Sequence, residues 1–188
     1  MPMRWEFRPH VDRANPILAL IGSPTELTKL QSDRLESQSG VDLITVDDPA
    51  SDVSQLLSRL RASAEIGKTV IGIRTTSRDG SAPDPLHASQ MLALIIDLAV
   101  ECADSMQFDG IYASGGDVAF AVLDALGARG YEVENEVVHL AVSGKLVGGP
   151  HDGLGFATKG GLVGDADAAV ECINQLRSRI RQSEPRIV

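Results

Sequence analysis

Four short apolar runs, 16–21 (PILALI), 42–46 (DLITV), 69–73 (TVIGI) and 109–113 (DGIYA), are each followed by a stretch with helical spacing. This alternation constrains the chain more than any other feature. Strand and helix repeated four times predict a parallel sheet with crossover helices on both faces. Apolar residues make up 43% of the 188 positions but aromatics only 4%, so the core must rest on Val, Ile, Leu and Ala. Strands buried on both faces have that composition. The fold class is therefore α/β: three layers, a mainly parallel sheet and helices on either side.

The boundaries follow from local chemistry. Ser23 reads as an N-cap, with Pro24 at the first helical position and Glu26 completing a capping box. A helix is expected from Pro24 to Gln38, with Leu27, Leu30 and Leu35 inward. Leu56, Leu57, Leu60 and Ile66 mark a second helix over 54–66. A polar loop covers 75–85, and a long helix runs from Leu86 to Met106. Val118, Ala121, Val122, Ala125 and Leu126 give the inner side of a helix that opens after Gly116 and ends near Leu126. Beyond Gly130 the rhythm breaks. Short strands at 131–139, 145–147 and 156–158 are separated by glycines, giving a glycine-rich irregular region, before a last helix from Asp165 to Arg181. The expected organisation is an N-terminal extension at 1–15, one nucleotide-binding domain at 16–181 and a frayed tail at 182–188.

Charge and cysteine content narrow the function. A net charge of −9 opposes general nucleic-acid binding, yet backbone N–H groups can still build a local anion site. Cys102 and Cys172 have neither metal nor disulfide spacing and read as buried helix residues. His10, His87 and His139 share no metal spacing. No uninterrupted apolar run reaches the roughly 20 residues of a membrane span, and residues 1–16 lack a signal-peptide pattern. No membrane partner is expected, and the cytoplasm is the expected location.

The chemistry lies in glycine turns. Gly22-Ser23 follows the first strand, and Ser114-Gly115-Gly116-Asp117 follows the fourth. In an open parallel sheet ligands bind outside the carboxyl ends of the strands. A helix opening there offers unpaired N–H groups and a favourable dipole to an anion, and glycine lets the backbone approach it. Two later segments, 148–153 (GGPHDG) and 159–165 (KGGLVGD), add glycines and Lys159, which reads as a loop cation beside phosphates. Asp117 suits either Mg²⁺ or a helix cap. His151-Asp152 reads as a phosphate or base contact, or as a plain turn. Ser114 lacks a nucleophile elbow and reads as a phosphate or turn ligand. The arginines at 177, 179 and 181 read as a solvated helix end. No Walker A lysine follows Gly-Gly-Asp, and no G-x-G-x-x-G follows a strand, so spacing excludes the two commonest nucleotide signatures without naming another.

The runs SGGDVAFAVLDALGARG and LVGGPHDGLGFATKGGLVGD resemble the C-terminal nucleotide-binding domain of the four-carbon acid sugar kinases, and the likeness extends over about 16–176. Those enzymes act on sugar acids such as threonate, erythronate and 3-oxo-tetronate. The resemblance implies ATP as cofactor with Mg²⁺, and ATP contacts at Ser23, Gly115, Gly116, Asp117 and Gly161. Ser114, Val118, Gly149, Lys159 and Gly164 also fall on motif positions. Val118 stands where the family usually has threonine. The family's sugar-acid half carries an Asp-Asp-x-Thr-Gly motif; this chain has Asp47-Asp48-Pro49 instead. The expectation is an ATP-binding half inactive alone, with a sugar-acid-binding domain elsewhere as partner; a homodimer is compatible with it, and no catalytic residue is assigned. A non-catalytic module for a nucleotide or other phosphorylated metabolite is the alternative, and an oligomerisation domain with vestigial turns a third reading.

Overall fold

The computed structural model describes residues 14–76 and 84–183. The expectations for residues 1–13, for most of the loop at 75–85 and for the tail at 184–188 lie outside them. Five strands are parallel: β1 (Ile17–Ile21), β2 (Val41–Val46), β3 (Val70–Thr75), β4 (Gly110–Ser114) and β7 (Gly155–Lys159). Two more, β5 (Gly130–Val138) and β6 (Ala141–Val147), extend the sheet antiparallel. The order is β2-β3-β1-β4-β7-β6-β5. The expected irregular region is thus largely regular. The glycines there fall mostly in turns, and Gly144 lies within β6, where a Cβ would strike the Glu132 carbonyl.

Five helices form the outer layers. Helices α2 (Val53–Glu65), α3 (Pro85–Ser105) and α4 (Gly116–Ala125) cover one face, packing Leu60, Leu98 and Val122 onto Leu18, Leu20 and Ile73. Helices α1 (Glu26–Glu36) and α5 (Ala168–Ser183) cover the other, over Ile17, Ala19, Ile21 and Tyr112. Strand alternation sends successive side chains into opposite cores, so every residue of β1 is buried. α3 is by length and composition apolar enough to cross a membrane. Here it lies on the sheet through Leu94, Ile95 and Leu98, with Asp97, Glu101 and Asp104 interrupting its apolar run.

Helix α1 departs from the expected pattern. Its N-cap is Thr25, not Ser23, because the Thr25 hydroxyl accepts from the Thr28 backbone N–H. Leu30 is exposed, and the buried face carries Thr28, Gln31, Ser32 and Leu35. A capping box at Ser23 is therefore absent. Helix α5 continues to Ser183, beyond its expected end. Edge strand β5 is mostly exposed and acidic. Its Glu134 accepts from Arg179 of α5, which holds that carboxyl below its ordinary value.

Gly72 of β3 pairs with Ala19 of β1 in the centre of the sheet, and a Cβ there would lie inside the contact distance of the Ala19 carbonyl. Gly72→Ala is expected to destabilise the chain by about 3 kcal/mol, the upper part of the usual overpacking range. Urea denaturation of both proteins measures it; equal midpoints would contradict the close packing of β1 on β3.

Candidate functional site

β1 and β4 are neighbours, and the helices that follow them leave on opposite faces of the sheet. A crevice therefore opens at their carboxyl ends, the position where open α/β sheets bind ligands. A cavity of about 300 Å³ lies there. Ser23, Gly115, Gly116, Asp117 and Gly161 give its polar rim. The wall of α3, through Ala88, Met91, Leu92 and Ile95, is apolar, with His87, Thr75 and Thr76 at the edge.

The turn after β4 divides its work between two glycines. Gly115 is the N-cap of α4, with φ 111° and ψ 131°, a conformation side chains disfavour. Its N–H donates to the Lys159 carbonyl at 3.0 Å, and its own carbonyl accepts from Ala119. Gly116 has no positive φ, and a Cβ built on it would meet nothing within 4 Å. No side chain caps α4. Its first turn thus presents uncapped N–H groups to open space, with the positive end of the helix dipole behind them. Asp117 lies in that first turn, exposed, and does not cap the helix.

The third element is the turn after β7. The Thr25 and Thr28 hydroxyls donate to the Gly161 carbonyl at 2.8 and 2.9 Å. Gln31 Nε2 donates to the carbonyls of Val163 and Asp165, at 2.9 and 2.6 Å. This explains the polar buried face of α1: it clamps the 160–165 backbone, whose carbonyls have no sheet partner. Gly161 passes so close to Ser23 that a Cβ would lie 2.9 Å from the Ser23 Cβ. Ser23, free of any capping role, is left half-buried on the rim.

The other expected site residues divide between the cavity wall and other parts of the fold. Val118 is buried under Gly22 and Gly115, and it lines the cavity with its methyl groups. Ser114 ends β4 fully buried on the α1–α5 face, its hydroxyl without a hydrogen-bond partner. Lys159 is not a loop cation: it ends β7 with 2% exposure, donates to the Gly160 carbonyl at 3.1 Å and faces Cys172. Burial pushes its pKa down. Gly164, at φ 76°, gives close passage past Ala168 and Val138. Gly149 lies at the opposite end of the sheet. The turn after β6 emerges beside Gly155 and Gly110, where β7 and β4 begin, and Gly149 abuts the Gly127 carbonyl. His151 and Asp152 share that far end, where Asp152 accepts from the Gly148 N–H. Sequence reasoning missed the α3 wall and Thr75-Thr76. The carboxyl end of β3 was the available signal for the threonines; the α3 face looked like ordinary core.

Removing the clamp tests the loop's architecture. Gln31→Ala removes the donor to the Val163 carbonyl and one of two donors to the Asp165 carbonyl, and is expected to cost about 1–3 kcal/mol. Hydrogen exchange at 161–165 should accelerate more than at β1; uniform acceleration would contradict a local clamp.

Comparison with known proteins completes the description. A family model described as the nucleotide-binding C-terminal domain matches residues 18–169. A D-erythronate kinase from Heliobacterium modesticaldum is 35% identical, the match covering 92% of this chain and 44% of the relative. A D-threonate kinase from Salmonella typhimurium is 27% identical, over 79% of this chain and 40% of the relative. A crystal structure from Bordetella bronchiseptica, described as a domain of unknown function with bound citrate and a domain-swapped dimer, superposes with a TM-score of 0.74. It is 26% identical, covering 87% of this chain and 41% of that one. A Haemophilus influenzae protein at 16% identity and TM-score 0.68 shares the fold. The chain spans 40–44% of the length of these two kinases.

Proposed function

The chain belongs to the nucleotide-binding C-terminal domain family found in the erythronate and threonate kinases, and on that premise we propose that it is the ATP-holding half of a kinase for a four-carbon sugar acid. The observation that carries the reading is the open space over Gly116 at an uncapped helix start, facing Gly161 and Ser23 across one cavity. Phosphate oxygens suit the N–H groups at 116–118 and the Ser23 hydroxyl. The apolar α3 wall suits a nucleotide base. Asp117 supplies one exposed carboxylate, and no cluster of three metal-binding side chains is present among the described residues. Mg²⁺ fits such a site because it is held largely by phosphate oxygens and water, with one or two carboxylates.

Phosphoryl transfer depends on positioning and charge stabilisation more than on covalent help from the protein. In this reading the chain's own residues bind and orient the nucleotide and exclude water with the α3 wall. A second half, corresponding to the remaining length of the relatives, presents the sugar-acid hydroxyl. The reading places the reaction in the cytoplasm. The domain-swapped dimer of the Bordetella protein supports self-association of this chain. A purified chain is expected to bind ATP by calorimetry and to leave threonate and erythronate unphosphorylated. Turnover without added protein would overturn the division of labour, and absence of ATP binding would overturn the site.

Gly116→Val separates ligand from fold. Gly116 has no positive φ, and a Cβ there meets nothing within 4 Å, so the ligand-free stability should change little, by about 0.5 kcal/mol or less. The valine would occupy the phosphate space, and ATP affinity should fall at least tenfold. A variant that melts far lower yet binds ATP normally would move the nucleotide elsewhere.

A further inference from the structure

Lys159 is a buried ammonium with no counter-charge among the described residues. Its one hydrogen bond goes to the neighbouring Gly160 carbonyl, and it takes part in no ion pair among the described residues. The groups around it are neutral. From β4, Tyr112 and Ser114 share its face, since Ser114 is its register partner. Their hydroxyls lie near each other but reach no hydrogen-bonding geometry, and both are fully buried. Burial raises the Tyr112 pKa and pushes the Cys172 thiol of α5 to about 12, so neither supplies an anion. From β6, Ala141 is its partner. From α1, Thr28 and Gln31 donate to the loop carbonyls. Glu171 of α5 is exposed.

A buried charge without a partner is strongly unfavourable, and few folds retain one without a reason. The backbone of the same residue supplies the reason. The Lys159 carbonyl accepts from the Gly115 N–H at 3.0 Å, and Gly161 is two residues on. The Lys159 side chain therefore extends from the residue that links the two turns meeting the anion, on the α1–α5 face of the sheet. We propose that Lys159 is the buried counter-charge of the phosphate site, attracting phosphates held at Gly115–Asp117 and Gly161 without touching them. The inference rests on the nucleotide reading above. With one charge buried, the attraction is screened less by water and salt than it would be between two exposed charges. It makes Lys159 a positioning residue that disfavours the empty chain and favours the loaded one.

The signature is a change of opposite sign in two measurements. Lys159→Met keeps the length of the side chain and removes the charge. The ligand-free melting point is expected to rise by about 2–4 °C, the equivalent of roughly 1 kcal/mol for a chain of this size. ATP affinity should fall about tenfold, while affinity for uncharged adenosine stays as in the wild type. A lysine needed only for packing would instead lower the melting point and weaken both ligands alike, and that result overturns the proposal. A wild-type pH series needs no variant and decides the matter should Lys159→Met fail to fold. ATP affinity should fall as pH rises through the alkaline range below 10.5, where the ammonium loses its proton, while adenosine affinity stays level. An ATP affinity that is flat with pH overturns the proposal. Wild-type protein that binds no ATP at any pH overturns the nucleotide reading and this inference together, whereas ATP binding unaffected by Lys159→Met overturns this inference alone.

Discussion

Ile21, Ser114 and Lys159 lie in one row across three parallel strands, and the site depends on that register. Because the strands end level, the residues that follow them emerge side by side: Gly22, Gly115 and Gly160. Backbone hydrogen bonds lock the row one step further, from Gly22 N–H to the Ser114 carbonyl and from Gly115 N–H to the Lys159 carbonyl. A one-residue slip in a parallel ladder would exchange the two cores and move one turn out of line. Burial of both faces of β1 and β4 fixes the register, so the hydrophobic core sets the geometry of the polar site.

Glycine does three different jobs around this row. At Gly115 the backbone demands it, since φ 111° is open to few other residues. At Gly22 packing demands it, because a Cβ would lie 2.8 Å from Ile95 Cδ1 and press on Val118. At Gly116 neither demand exists. Only Gly116 has a freedom that the chain itself leaves unused. The sequence GG cannot distinguish the two residues; the backbone angles can.

The first four strands and the helices between them were legible because each apolar run had a clear stop, and the observed elements differ by a few residues at most. Their spatial order was not legible. Placing β1 between β3 and β4 requires knowing which helix faces which core. The β5–β6 extension was obscured by glycine turns and by the acidic, exposed character of β5. Helix α1 misled for a different reason: its leucines suggested an apolar inner face, whereas Thr28 and Gln31 point inward to satisfy the 160–165 backbone. Motif resemblance named Gly115, Gly116, Asp117, Gly161 and Ser23, which line one cavity. It could not separate them from Gly149 and Gly164, whose glycines answer to Gly127 and Ala168 instead.

The acidity of the chain conflicts with an anion site only if charge is treated as a total. At physiological salt the field of an exposed carboxylate decays within about 8 Å. Much of the excess acid is exposed on β5, which lies three strands from β4, and several acidic groups are already paired, such as Glu134 of β5 with Arg179 and Asp33 of α1 with Arg74. What reaches the cavity is local: the dipole of α4, uncapped N–H groups and the ammonium of Lys159 shielded from counter-ions by burial. A surface lysine would lose most of its influence to water and salt. Buried at the carboxyl end of β7, the same charge keeps more of its reach but leaves the empty fold less stable. A site built this way holds anions through buried and backbone charge, and it leaves the exposed surface acidic.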